Sequence, residues 1–230
     1  RSRRLLVMQR NFLILGGTGF VGQSVAEKLV ERSGGASGRI RIATRRVARA
    51  RHLQLLPTVE IAEGDVHDEA TLARMLRGTD AVINLVGVLH GSEDEFERAH
   101  VRLPSILAAA CLTAGVKRIV HIGAIGAAVD APSRYLRSKA RGEAALKAMP
   151  LDVTILRPSV IFGSRDDFLN MFAKVQSVLP VLPLAGSEAR FQPVWVEDVA
   201  SAVVAAMDDP STIGTTIECC GPRVYTLAEL

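Results

Sequence analysis

A tyrosine and a lysine in the stretch SRYLRSK (133–139) carry side chains suited to proton transfer. Tyr135 and Lys139 are four residues apart, a spacing that places two residues on one face of a helix. An ammonium beside a phenol lowers the pKa of the phenol and favours its use as a proton donor. The spacing therefore predicts a proton-transfer pair. A solvated surface pair is the alternative, because this spacing is common by chance.

The stretch GGTGFVG (16–22) predicts a phosphate-binding loop. It follows an apolar run typical of a strand and precedes a helical pattern. Glycines at such a turn let a pyrophosphate approach the bare backbone, and the helix N-terminus supplies unpaired N–H groups. A plain tight turn is the alternative. The placement favours a dinucleotide site that includes Gly16, Thr18, Gly19, Phe20, Val21 and Gly22.

The end of the second predicted strand distinguishes the two common dinucleotides. Sites for NAD(H) usually place an acid about 20 residues after the glycine loop, where it holds the ribose hydroxyls. Here no Asp or Glu occurs between Glu31 and Glu60, and the strand ends in Arg45 and Arg46. A guanidinium suits a 2′-phosphate. The sequence therefore predicts NADP(H), with NAD(H) or a solvated basic turn as the alternatives.

Other strand ends supply further candidate cofactor contacts. Asp65 and Val66 lie in EGDVHD after the third predicted strand, where a carboxylate is placed to meet the adenine. The fourth strand ends in NLVG, whose small groups let a cofactor pass, and ordinary turn chemistry is the alternative for both stretches. The predicted contacts in these places are Asp65, Val66, Leu85, Val86, Gly87 and, after the sixth strand, Pro158. Tyr135 and Lys139 are predicted cofactor contacts as well, since in a nicotinamide site the Lys ammonium can bond the nicotinamide ribose.

Short apolar runs alternate with helical patterns along the chain, which predicts a doubly wound parallel sheet of the Rossmann type. The predicted strands are 11–15, 40–44, 59–62, 81–87, 118–123 and 152–158, and the longer helices are 93–114 and 133–148. We interpret residues 8–230 as one dinucleotide-binding domain. Within it, residues 159–230 are expected to form a small, incomplete C-terminal lobe for a substrate or partner, with a helix at 166–178, a strand around 191–196, a helix at 198–207 and a strand at 215–219.

Composition excludes several functional classes. Hydrophobic residues make up 48% of the 230 residues and charged residues 23%, as in a soluble globular domain, and no apolar run is long enough for a transmembrane segment. Cys111, Cys219 and Cys220 lack metal-ligand spacing, so no metal site is expected and the thiols are interpreted as buried. Six arginines lie between Arg39 and Arg51, but aromatic residues are only 4%, which argues against single-stranded nucleic acid.

Taken together, these motifs resemble the short-chain dehydrogenase/reductase family, in its atypical, extended branch. More narrowly, the chain is similar to the nucleotide-binding accessory subunits of respiratory complex I and their bacterial relatives. The resemblance implies a Rossmann fold, a tightly held NADPH and assembly with a respiratory membrane complex or quinone-pathway proteins. The stretches that carry it are GGTGFVG, VINLVG, AGVKRIVHIGAIGA, SRYLRSKARGE, LRPSVIFGSRDDFLN, QPVWVEDVA and CGP.

Two departures from the family pattern bear on activity. Active members carry Ser or Thr where this chain has Gly123-Ala124, and tend to have Asn where it has His100. Loss of a hydroxyl donor to a substrate carbonyl typically costs orders of magnitude in rate. We therefore expect a cofactor-holding subunit or assembly factor in which Tyr135 and Lys139 have residual or no activity. The alternative is an NADP-dependent oxidoreductase or epimerase acting on a small carbonyl or nucleotide-sugar-like substrate. The expected location is the cytoplasm, with peripheral attachment to the inner membrane as the other option.

Overall fold

The computed structural model describes residues 10–33, 38–164, 188–227 and 229. Its centre is a seven-stranded sheet in the order β10-β6-β5-β4-β1-β2-β3, with every neighbouring pair parallel. The six strands predicted from the sequence are confirmed. The strands of the sheet are β1 Phe12–Leu15, β2 Ile40–Thr44, β3 Val59–Glu63, β4 Ala81–Asn84, β5 Arg118–Ile122, β6 Asp152–Pro158 and β10 Thr216–Cys219.

Helices cover both faces of this sheet, as the alternating pattern predicts. Asp68 and Ser133 begin two of them, each accepting a hydrogen bond from a backbone N–H three residues on, as is typical of N-cap side chains. The helix predicted at 93–114 is interrupted by a π-helical stretch, Glu97–Arg102, between α3 and α4. The helices are α1 Phe20–Ser33, α2 Glu69–Leu76, α3 Glu93–Phe96, α4 Leu103–Ala114, α5 Arg134–Lys147 and α6 Val196–Asp208.

The described part of 159–230 is divided between the sheet and its rim. Strand β10 pairs with β6, and α6 packs on the same buried layer as α1, so both belong to the Rossmann core. The remainder forms two small sheets, in which β7 Ile161–Phe162 pairs with β9 Val194–Trp195, and β8 Arg190–Phe191 pairs with β11 Tyr225–Thr226. The helix predicted at 166–178 lies outside the described residues. A distinct lobe at 159–230 therefore stays a prediction.

The core has two apolar layers, one on each side of the sheet. One layer joins β1, β2 and β4 to α1 and α6, and the other joins the opposite faces of the strands to α2, α4 and α5. All strands run in one direction, but the order in which they are added to the sheet reverses between β1 and β4, because β2 and β3 lie on one side of β1 while β4, β5 and β6 lie on the other. In open α/β sheets, ligands bind in the crevice at the carboxyl ends of the strands at such a switch point.

Candidate functional site: a cofactor crevice at the switch point

The glycine loop lies at the carboxyl end of β1. Gly16 has φ +80°, a left-handed conformation that L side chains rarely adopt, and a Cβ there would lie 3.0 Å from the carbonyl carbon of Leu85. A Cβ on Gly22 would collide with the Gly16 carbonyl oxygen. The first turn of α1 therefore packs directly on the loop. Only glycines at these two positions permit this close approach.

An open cavity of about 480 Å³ extends from this loop along the carboxyl ends of four neighbouring strands, β4, β1, β2 and β3. It brings together most of the predicted contacts from four separate stretches of the sequence. Its size is within the range usual for small-molecule and cofactor sites. The predicted residues that line it are Gly16, Thr18, Gly19, Arg45, Arg46, Asp65, Val66, Leu85, Val86 and Gly87.

The remaining predicted contacts lie outside the lining of this cavity. Phe20, Val21 and Gly22 form the start of α1 behind the loop. Pro158 is buried at the end of β6, where its carbonyl oxygen accepts a hydrogen bond from the Ile125 N–H at 3.1 Å. These residues support the crevice, while the cavity-lining residues are the ones that face a ligand.

Three arginines at the end of β2 line the cavity: the predicted Arg45 and Arg46, and Arg49 from the following 3-10 turn, Val47–Ala50. All three are exposed, and among the described residues none of their guanidinium groups forms an ion pair. By contrast Arg39, in the same arginine run, lies 3.8 Å from the Glu60 carboxylate. The unpaired guanidinium groups suit a phosphorylated ligand.

Asp65, predicted to meet the adenine, lines the cavity, but its carboxylate is already engaged. One oxygen accepts the His67 N–H at 3.0 Å, and the other accepts Nη2 of Arg98 at 2.9 Å. His67 also lines the cavity, and its Nδ1 is buried without a hydrogen-bond partner. Burial, followed by the positive charge of Arg98, lowers the pKa of His67. This end of the crevice therefore holds a neutral imidazole beside a paired carboxylate.

The ring of Tyr135 is held by two aromatic neighbours. Its centroid lies 5.4 Å from that of His100 and 6.0 Å from that of Phe96, in edge-on geometry. The Lys139 ammonium lies 6.0 Å from the ring centroid. Burial raises the pKa of Tyr135, which opposes the lowering expected from the Lys139 ammonium, and activation of the phenol in a loaded site stays a prediction. A phenol in this environment favours its neutral form.

His100 connects the helix of Tyr135 to the loop after β4. Its Nε2 accepts the Val88 N–H at 3.0 Å, so its proton lies on Nδ1, which is 2.8 Å from Oγ of Ser138. That hydroxyl in turn donates to the Tyr135 carbonyl at 2.7 Å. Burial, with a smaller contribution from the Lys139 charge, lowers the pKa of His100 to about 3. The imidazole is therefore neutral, and both its nitrogens have partners.

Lys139 lies on the same face of α5 as Tyr135, as predicted, with its ammonium under the loop after β4. A Cβ on Gly87 would lie 3.1 Å from Nζ, so this ammonium borders the cavity-lining loop. The side chain is 4% exposed, and Nζ donates to the Ile122 carbonyl at 3.1 Å. Burial lowers the pKa of Lys139 to about 8, while the Glu143 carboxylate acts in the opposite direction.

A buried ion pair lies behind this lysine. Glu143, one turn further along α5, accepts Nη2 of Arg157 at 2.6 Å and Nε at 3.1 Å. Its side chain is 3% exposed, against 22% for Arg157. A Cβ on Gly123 would collide with Oε1 of Glu143. A side chain at position 123 would therefore require the Glu143 carboxylate to move away from its contact with Arg157.

Arg49, His67, Phe96, Arg98, Glu143 and Arg157 are site residues that the sequence analysis did not identify. The signal for Arg49 was present in the arginine run, and the signal for Glu143 was its spacing of four residues from Lys139. Arg98 and Arg157 reach their partners across 33 and 14 residues of chain, a relation that local spacing does not reveal. Among the described residues, no group of three or more His, Cys, Asp or Glu is arranged to hold a metal ion.

Three features of the crevice fit a bound dinucleotide. Bare backbone at Gly16 and Gly22 leaves room for a pyrophosphate at the N-terminus of α1, unpaired guanidinium groups line the cavity at β2, and the Lys139 ammonium borders the loop at Gly87. A nicotinamide dinucleotide supplies hydride-transfer chemistry when bound. The residues that would hold its phosphates are the glycine loop and the arginines at the end of β2, and Lys139 would hold the ribose next to the nicotinamide.

Comparison with known proteins agrees with this geometry. The chain is 36% identical over 228 residues to the mitochondrial NADH dehydrogenase (ubiquinone) 1 alpha subcomplex subunit 9 of Arabidopsis thaliana, covering 94% of this chain and 55% of that protein. It is 29% identical over 199 residues to the ceramide reductase of Caulobacter vibrioides, covering 86% of this chain and 61% of that protein. The chain thus spans little more than half the length of these relatives.

Solved structures show the same fold. A double mutant of DesIV, a dTDP-glucose 4,6-dehydratase from Streptomyces venezuelae solved with NAD bound, superposes with a TM-score of 0.81 at 21% identity, covering 95% of this chain and 78% of that one. The model of a family described as NAD(P)H-binding matches residues 16–210, most of the chain and all of the crevice described above. The chain therefore belongs to the NAD(P)H-binding family.

Proposed function

We propose that this protein holds NADPH as a subunit or assembly factor of a respiratory, quinone-linked complex, with little or no turnover. The preference for NADPH is supported by Arg45, Arg46 and Arg49, whose guanidinium groups line the cavity without ion-pair partners among the described residues. The sequence around them has no Asp or Glu between Glu31 and Glu60 that could hold the 2′-hydroxyl of NADH from the end of β2. A 2′-phosphate supplies the charge that these arginines lack.

The low turnover rests on one observation above all: the position of the substrate hydroxyl donor is occupied by Gly123 and Ala124. The Glu143 carboxylate fills the space of a side chain at 123, and Ala124 offers only a methyl group. In addition, burial raises the pKa of Tyr135. A substrate carbonyl here would lack a hydroxyl partner and face a phenol that releases its proton reluctantly.

Association with a respiratory complex rests on the likeness to the mitochondrial subunit named above. In the ranges that the structure describes, no helix has both the length and the apolar character needed to cross a bilayer. We propose peripheral attachment to the inner membrane through protein partners, with the cytoplasm as the compartment of the unattached protein. Purification from native membranes of the full-length protein tests this: it should co-purify with respiratory subunits, and a full-length protein that stays alone at physiological concentration contradicts the proposal.

An NADP-dependent oxidoreductase or epimerase is the second candidate. It is favoured by the retained Tyr135 and Lys139 and by the likeness to the ceramide reductase. Its substrate would be a small carbonyl or nucleotide-sugar-like compound. If the missing hydroxyl is what limits activity, Ala124→Ser should raise the rate of NADPH oxidation, whereas Gly123→Ser should fail because its Cβ meets Glu143.

Mass analysis of the small molecule released when the purified protein is denatured tests the main proposal directly. NADPH or NADP⁺ in near-stoichiometric amount is expected, and NAD(H) alone would overturn the cofactor assignment. A separate, native sample of the protein is then saturated with NADPH and incubated with a panel of carbonyl and quinone compounds. Oxidation faster than about 1 s⁻¹, the low end of ordinary enzyme turnover, would favour the second candidate.

A further inference from the structure

The Glu143–Arg157 pair differs from an ordinary structural ion pair in its location. The Glu143 side chain is almost completely buried and lies against the bare backbone of Gly123. Ile122, the residue before Gly123, has the carbonyl oxygen that accepts a hydrogen bond from Nζ of Lys139. The Lys139 ammonium and the Glu143 carboxylate lie on one face of α5. Both therefore contact the backbone at the end of β5, at Ile122 and Gly123. Within the described ranges, Glu143 is the carboxylate that raises the pKa of Lys139 against the effect of burial.

The remaining titratable groups around Lys139 carry no compensating negative charge. Tyr135 on α5 is neutral, as are His100 on the π-helical stretch and His121 on β5, both buried. Arg157 on β6 carries a positive charge that Glu143 neutralises through its two-pronged contact. A buried ammonium loses hydration, which favours its neutral form, unless an opposite charge stands nearby. Glu143 supplies this opposite charge beside Lys139.

From this geometry we propose that Glu143 is a positioning residue that keeps Lys139 charged and directed at the cofactor, so that the site binds NADPH firmly at physiological pH. The inference rests on the proposed function, in which the ammonium holds the cofactor. Arg157 has the complementary part: it satisfies both oxygens of Glu143 and prevents the carboxylate from closing directly on Lys139, which leaves the ammonium available to a ligand.

The test is the pH dependence of NADPH affinity in Glu143→Gln. In the wild type, affinity should be constant at low pH and fall about tenfold per pH unit above the pKa of Lys139, about 8. Glu143→Gln removes the charge but retains the shape, so the midpoint should move down by about one unit or more. At pH 6 the two proteins should bind NADPH almost equally. For a downward move of one unit, the variant should bind about fivefold more weakly at pH 8 and about tenfold more weakly at pH 9.

A matched control lies on the same helix. Arg141 of α5 and Glu97 form a two-pronged pair at 2.7 and 3.1 Å, but both side chains are about half exposed. Glu97→Gln should leave the midpoint unchanged. Glu143→Asp, which keeps an acid for Arg157 but withdraws it by one methylene, should give an intermediate midpoint and replaces Glu143→Gln if that variant does not fold. A wild-type midpoint in whichever variant folds, or a loss of affinity that is the same at every pH, would overturn the proposal.

A second measurement separates this inference from the proposed function. NMR titration of isotope-labelled lysine follows the Lys139 ammonium in the protein without cofactor. We expect its midpoint near 8 to fall in Glu143→Gln and to stay in Glu97→Gln. If the midpoint falls while NADPH does not bind the wild type, the proposed function fails and the electrostatic link between Glu143 and Lys139 stands. An unchanged midpoint discards the link.

Discussion

The two halves of the crevice differ in how their polar groups are used. On the phosphate side, Arg45, Arg46 and Arg49 are exposed and unpaired within the described part of the chain, and His67 has a buried nitrogen without a partner. On the proton-transfer side, both nitrogens of His100 have protein partners, and the Lys139 ammonium uses one of its three N–H donors for the Ile122 carbonyl. One half has binding capacity left for a ligand, while the other is largely satisfied by the protein itself.

This difference supports the proposal that the site binds a cofactor with little or no turnover. Unpaired guanidinium groups gain contacts when a phosphate arrives, so they contribute to affinity. Groups already hydrogen-bonded and desolvated gain little from a substrate and resist a change of protonation state. The lowered pKa of His100 and His121 and the raised pKa of Tyr135 are three consequences of this burial. Substitutions on the proton-transfer side should therefore mainly change the stability of the protein. Substitutions on the phosphate side should mainly change which cofactor binds.

The largest effect is expected from breaking the buried ion pair. Arg157→Ala leaves the Glu143 carboxylate, 3% exposed, without its partner, and should reduce the free energy of unfolding by about 3–5 kcal/mol. The matched change Arg141→Ala at the exposed pair with Glu97 should cost about 0–1 kcal/mol. Urea denaturation of both variants measures the difference. Equal losses would show that the proton-transfer side is no more tightly organised than the surface.

Acid should destabilise the protein through its buried neutral histidines. His100 and His121 have a folded pKa of about 3 against 6.5 in the unfolded chain, so the unfolded state binds protons first as pH falls. Their contribution is complete above pH 6.5 and is lost towards pH 3. Between pH 7.5 and 5, stability should drop by about 2–4 kcal/mol, at about 1.4 kcal/mol per histidine per unit below 6.5.

Two substitutions sharpen this pH prediction. His100→Asn removes one of the two groups and should flatten the pH dependence of unfolding by about half. His90→Asn, at an exposed histidine, should leave the dependence unchanged. A curve for His100→Asn that has the same slope as the wild type would contradict the assignment of the neutral imidazole.

Lys139 and Tyr135 should separate on mutation, because one belongs to cofactor binding and the other to proton transfer. Lys139→Ala removes a charged donor and should weaken NADPH binding by about 1.5–3 kcal/mol in calorimetric titration. Tyr135→Phe keeps the ring between Phe96 and His100 and should change affinity little. The proposed difference between the two halves is wrong if the wild type oxidises NADPH rapidly and Tyr135→Phe abolishes this oxidation while NADPH affinity is unchanged.

The smallest expected effect concerns cofactor choice on the phosphate side. NADPH should bind at least ten times more tightly than NADH, a difference of about 1.4 kcal/mol. Replacing Arg45 and Arg46 together by Ala should remove most of this preference, because only Arg49 then remains to pair with the 2′-phosphate. Arg39→Ala is the control, since Arg39 belongs to the same arginine run but lies beside Glu60. Equal affinities in the wild type, or a preference that survives the double substitution in full, would discard the prediction.

Local features of the sequence predicted much of the fold. Continuous apolar runs located the six strands, because parallel strands covered on both faces need apolar residues on both sides. Asp68 and Ser133 located two helix starts through their side-chain oxygens. The π-helical stretch at Glu97–Arg102 was not foreseen, since the sequence around it continues the helical pattern. The placement of β10 in the main sheet was also missed, because strand pairing across a long connection leaves no local signal.

The sequence likewise predicted one part of the candidate site and not the other. Its phosphate side consists of short motifs, each at the end of a strand, and parallel strands bring their carboxyl ends to one edge whatever the rest of the chain does. The sequence alone therefore determined the glycine loop, the arginines and the Tyr135–Lys139 spacing. Only the tertiary structure decided that Tyr135 is buried with a raised pKa, and that Glu143 fills the space beside Gly123. The physical reason is that burial and charge pairing depend on groups distant in the chain, whereas a turn or a helix face depends on near neighbours.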